Sequence, residues 1–101
     1  MLIRSDNYDD VRRALKWQIP EHFNMGVDVC DRHADATPDR TALIIEDEDG
    51  DVTQYSFLAL KRLSNKLANL FVATGLQPGD RVGILLSQFI ETGIPHIAAW
   101  K

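Results

Sequence analysis

The run RVGILLS, Arg81 to Ser87, constrains this chain more than any other stretch. Val82 to Leu86 is apolar without alternation, the pattern of a strand covered on both faces in a parallel sheet. The residues after it, Ser87 to Lys101, read as a helix with Ser87 as N-cap. Phe89, Ile90, Ile94, Ile97, Ala98 and Trp100 leave little of that helix polar, as expected of one surrounded by protein. No glycine, asparagine or proline closes it. A parallel strand needs a neighbour, and a buried helix needs covering layers. The other residues do not supply them, so the expectation is the front piece of a larger α/β protein.

Upstream, the order of elements supports an α/β class. Tyr8, Val11, Ala14 and Leu15 recur at helical spacing until Pro20 interrupts. A second helix is predicted from about Glu21 to Ala36, with Phe23, Val27, Cys30 and Ala34 on one side. Gly26 weakens it, since glycine costs about 1 kcal/mol relative to alanine inside a helix. Thr37-Pro38-Asp39 ends it. TALIIE and DVTQY then read as the arms of a hairpin, with Asp49-Gly50 tolerating positive φ at the turn. Ser56 caps a long helix whose stripe is Leu60, Leu63, Leu67 and Leu70. Gly75 stands at its C′ position, followed by Leu76. Hairpin, helix, strand and helix make a partial open sheet, a β-hairpin plus a parallel strand with flanking helices. Residues 1–40 are the helical lead-in and 41–101 the hairpin–helix–strand–helix unit of one domain fragment, 1–101.

Charge and cysteine content narrow the partners. The net charge is −4, unevenly placed: residues 1–55 hold 13 of 15 acids and 6 of 11 bases, while the remainder carries +3. Neither half has a dense basic face with interleaved aromatics, so nucleic acid is not an expected partner. A single cysteine, Cys30, excludes an intrachain disulfide and fits a reducing compartment. The N-terminus lacks the apolar core of a secretory signal. No stretch approaches the ~18 apolar residues of a membrane-spanning helix. The expected location is cytoplasmic.

No catalytic, cofactor-binding or metal residue is assigned. Cys30 and His33 are three apart and could share a helix face, but zinc needs two more suitable ligands, and no second Cys/His cluster exists. An amphipathic helix with a partly buried Cys30 and an exposed Asp28–Arg32 pair is the simpler account. In EDEDGD, Glu46 to Asp51, placing Gly50 at position six of a calcium loop puts Ile45 and Ser56 where acids belong. His22, His33 and His96 are scattered. Gly75, Gly79 and Gly83 form no phosphate loop.

Read in order, W17-Q-I-P-E-H-F-N, D28-V-C-D-R-H-A, P38-D-R-T-A-L-I-I-E, Y55-S-F-L-A-L-K-R-L-S-N-K-L-A-N-L and G75-L-Q-P-G-D-R-V-G-I-L-L resemble the beginning of AMP-forming acyl-CoA synthetases, acetyl- and medium-chain type. E91-T-G-I-P-H-I-A-A-W-K resembles the helix that leads to a Lys-x-Gly-Ala stretch in those adenylate-forming enzymes. Ser87 stands where the family often has proline. Pro95 stands where a plain helix former is expected, implying a kink or a start near Ile94. The resemblance implies an ATP-dependent ligase of fatty acid metabolism, which activates a carboxylic acid as acyl-AMP and transfers it to coenzyme A, assisted by Mg2+. The family's phosphate loop, ribose-binding aspartate and catalytic lysine have no counterpart here, so the fragment is expected to be inactive and to hold no cofactor. The alternative is a free-standing small α/β interaction module without catalysis. The uncovered apolar segment predicts self-association.

Overall fold

The computed structural model describes residue 4, residues 6–87 and residues 89–101. Part of the N-terminus expected to lack a signal, and one residue of the expected final helix, Gln88, lie outside the described residues. Helix α1, Tyr8–Ala14, opens with the Asn7 side chain accepting from the Asp9 amide at 2.9 Å. It buries nothing. The chain then runs without regular structure past exposed Trp17 and Ile19.

The second helical region starts later than Glu21. The Asn24 side chain accepts from the Val27 amide at 3.0 Å, and the Asn24 carbonyl accepts from the Asp28 amide at 3.1 Å. A wide π-helical turn, Val27–Asp31, continues into α2, Arg32–Ala36. The extra residue in such a turn changes the facing of the residues before it relative to those after it. Cys30 and Ala34 are therefore buried, whereas Phe23 and Val27, expected on the same side, are exposed.

Strands β1, Thr41–Glu46, and β2, Val52–Ser56, pair antiparallel, with Ile44 opposite Gln54 and an irregularity between Thr41 and Leu43. At the turn, one carboxylate oxygen of Asp47 accepts from the amides of Asp49 and Asp51, and Gly50 takes a φ of 84°. Helix α3, Phe57–Ala73, begins with the Ser56 hydroxyl accepting from the Ala59 amide at 3.2 Å. It ends in a Schellman motif: Leu76 N–H reaches the Phe71 carbonyl, Gly75 N–H reaches that of Val72, and Gly75 has φ 95°. Leu60 is buried and Leu63 and Leu67 are half-buried, as expected, but Leu70 is 55% exposed. Ser64, absent from the expected stripe, is fully buried and donates to the Lys61 carbonyl.

The expected parallel strand is not formed. Val82 to Leu86 belongs to no strand, and Leu85 is 98% exposed. A ladder needs a partner, and the sheet among the described residues holds only β1 and β2, bonded to each other. The fold is thus mixed α/β with a two-stranded antiparallel sheet. Helix α4, Ile90–Trp100, starts neither at Ser87 nor at Ile94 and carries Pro95 inside it. Phe89 takes the N-cap position in extended conformation. Thr92 Oγ accepts from the Phe89 amide at 3.5 Å and donates to the Ser87 carbonyl. Ile94 and Ala98 form its buried stripe. The core is small: Cys30, Leu60 and Ile94, flanked by Ala42, Leu43, Tyr55, Leu63, Leu67, Ile90 and Ile97.

Candidate functional site

The most built polar arrangement lies where the second helical region, α3 and the end of α4 meet. Lys101 Nζ stands 2.6 Å from Asp31 Oδ1, with the lysine side chain 10% exposed and the carboxylate 16%. The same ammonium donates to Asn65 Oδ1 on α3. Asn24 Nδ2 donates to the Lys101 carbonyl at 3.2 Å. Local sequence explains why the groups meet. Asn24 starts the helix, the π turn swings Asp31 out beside buried Cys30, and α4 carries Lys101 in from its far end. Chemically this is a neutralised, desolvated ion pair. An ammonium engaged this way offers no free lone pair for nucleophilic or base chemistry.

The residues weighed from sequence are dispersed. Cys30 is buried, and its Sγ approaches the Phe57 carbonyl at 3.9 Å. Burial raises its thiol above the ordinary value of 9.0, with the Lys101 charge opposing. It is a packed thiol, without the thiolate character a nucleophile needs. His33 stacks on Phe57 with ring centroids 4.9 Å apart. His96 lies 6.0 Å from the Trp100 ring. Asp28 and Arg32 pair at 3.0 Å, as the spacing suggests. On the neighbouring surface Lys61 bonds Asp35 at 2.5 Å, which raises the lysine above its ordinary 10.5. Among the described residues no group of three or more His, Cys, Asp or Glu could hold a metal.

Surface hollows also lie among these elements. One, between the turn after α3 and α4, is lined by Leu76, Pro78, Asp80, Val82, His96 and Trp100. Its carboxylate is committed to the turn, accepting from the Gln77 amide at 2.8 Å. It presents no lysine, arginine or ring of amides to a phosphate. That hollow therefore lacks the groups that grip a nucleotide phosphate. Sequence reading missed Lys101, Asp31, Asn65 and Gly26. The signal on offer was a lone lysine directly after an apolar helical face.

A small hairpin packs against helices around a buried lysine, and comparison with known proteins gives its family. Residues 30–101 match the model of the family described as AMP-binding enzyme. The chain is 34% identical to the mitochondrial acyl-coenzyme A synthetase ACSM3 of Homo sapiens over 101 aligned positions, covering 94% of this chain and 17% of the relative. It is 36% identical over 84 positions to the acetyl-coenzyme A synthetase of Streptomyces coelicolor, covering 82% of this chain and 13% of that enzyme. Against the crotonobetaine/carnitine–CoA ligase of Citrobacter koseri the identity is 43% over 58 positions, 57% of this chain and 11% of the ligase. No solved structure matches. The chain belongs to the AMP-binding enzyme family. It spans less than a fifth of the length of these relatives.

Proposed function

We propose that these residues form the N-terminal part of an AMP-forming acyl-CoA synthetase, which couples ATP cleavage to acyl-adenylate formation and then to thioester formation with coenzyme A. The observation that carries the reading is the alignment of 94% of this chain with an acyl-coenzyme A synthetase, at 34% identity. That relatives named for acyl, acetyl and carnitine substrates all join an acid to coenzyme A supports the shared chemistry, acid–thiol ligation, as a step in fatty acid or related carboxylic acid metabolism. ATP, Mg2+ and coenzyme A would be held by residues outside these 101, with Mg2+ neutralising the phosphates. The part described here would contribute scaffold: α3 and α4 flank the run Val82 to Leu86, which becomes a parallel strand once a neighbour is present. The buried Cys30 suits a reducing, cytoplasmic setting. No helix among the described residues is long and apolar enough to cross a membrane. Left to themselves, the 101 residues self-associate through their uncovered apolar surface.

Carboxylate-dependent exchange of pyrophosphate into ATP tests the reading. A longer protein containing this chain should catalyse it, and the 101 residues alone should not. Exchange by the short chain above a no-protein control, or none by the long protein across acetate to medium-chain acids, defeats the proposal.

A further inference from the structure

Lys101 is the most enclosed cation described, and the ligase reading gives it no chemical task. Four residues from two other segments converge on it. Asp31, the last residue of the π turn, and Asn65 of α3 accept from its ammonium. Asn24, at the entry to the helix, holds its carbonyl. Gly26 lies under its stem: a Cβ there would stand 2.7 Å from Lys101 Cγ and 2.9 Å from the Ile97 carbonyl oxygen. A π turn is less common than continued α-helix, so something must select it. Here the widened turn lets consecutive residues do different work. Cys30 enters the core while Asp31 reaches the lysine.

We propose that Lys101 is a charged latch, a positioning residue that selects the π turn and fastens Asn24 to Ala36 onto α3 and α4, so that this segment and the last turn of α4 order and release as one unit. The proposal does not depend on the ligase reading. Removing one partner of a buried pair strands the other charge, whereas replacing both by apolar groups can be close to neutral. That asymmetry separates a latch from simple packing.

Hydrogen exchange on the full chain provides the test. In Lys101→Met, which keeps most of the stem, amides from Val27 to Ala36 should exchange on the order of a hundredfold faster. Amides of the β1–β2 hairpin should keep their wild-type rates. Combining Lys101→Met with Asp31→Leu should recover much of the lost protection. Should Lys101→Met not fold, Asn65→Ala removes only the neutral partner and should accelerate the same amides about tenfold. Equal acceleration in hairpin and π turn, no acceleration in the π turn, or a double variant no better protected than Lys101→Met overturns the latch.

Discussion

At Gly26 the backbone sits at φ −61° and ψ −40°, ordinary α-helical values open to any residue. What excludes a side chain is the 2.9 Å approach of a Cβ to the Ile97 carbonyl oxygen. Gly26→Ala should therefore destabilise, by about 1–3 kcal/mol, the usual penalty of overpacking. That sign opposes the ~1 kcal/mol gain that alanine brings to an unobstructed helix. Denaturant unfolding reads the difference, and a gain in stability would show that α4 is not seated where the structure has it. Cys30 yields a second expectation. Burial raises its thiol above 9.0 in the folded chain, so the folded state binds that proton more tightly than the unfolded one. The associated stability is complete below 9.0 and is lost as pH rises through the higher folded value. Lys61, raised by its bond to Asp35, acts in the same direction at higher pH. The unfolding midpoint should fall in alkali, and less steeply in Cys30→Ala; parallel slopes would refute the thiol's part. Little of this was legible in sequence. Asp31 and Lys101 lie 70 residues apart, and a buried ion pair imposes no periodicity on either segment. Gly26 looked like a weakness because the crowding that makes glycine necessary comes from another helix.

Elements whose causes are local were readable. Asp49-Gly50 marks the hairpin, Ser56 starts α3, and Gly75-Leu76 ends it, each through bonds within a few residues. The strand at Val82 to Leu86 was not, because a ladder depends on a partner and an apolar run cannot state whether one is present. The α3 stripe was right in phase and wrong in extent: Leu60 is buried and Leu63 and Leu67 half-buried, whereas Leu70 is 55% exposed. Leu60→Ala should cost about 2–5 kcal/mol, the range for a fully buried leucine. Leu67→Ala belongs at the lower end of that range, since Leu67 is only half-buried. Leu70→Ala should stay within about 0.5 kcal/mol of wild type. Equal losses at Leu60 and Leu70 in thermal unfolding would mean that both faces of α3 are covered. Pro95 teaches a related lesson. It suggested a break, yet α4 is bounded by Thr92, whose hydroxyl holds both Ser87 and Phe89 and sets the start at Ile90.

Over the whole molecule, the radius of gyration is 17.2 Å, against about 13 Å for a compact chain of this length. Part of the excess is α1 and the irregular stretch after it, which leave Tyr8, Trp17 and Ile19 exposed. Further exposed apolar side chains include Phe23, Val27 and Ile44 upstream and Leu70, Val72, Leu85, Leu86, Phe89 and Trp100 downstream. Backbone groups from Val82 to Leu86 belong to no ladder, so this apolar segment is open to pairing. Burial of such surface is worth about 25 cal/mol per Å². A net charge of −4 gives only weak repulsion between copies, particularly at physiological salt, where screening acts over about 8 Å. The isolated 101 residues should therefore scatter light as a species whose mass rises with concentration. Leu85→Lys discriminates the cause. Leu85 is 98% exposed, so the substitution should leave the unfolding midpoint unchanged while placing a charge on the open segment. Association should weaken in that variant. If the wild type stays monomeric throughout the series, or if Leu85→Lys associates as strongly as the wild type, then Val82 to Leu86 is not the adhesive element and self-association through it must be abandoned.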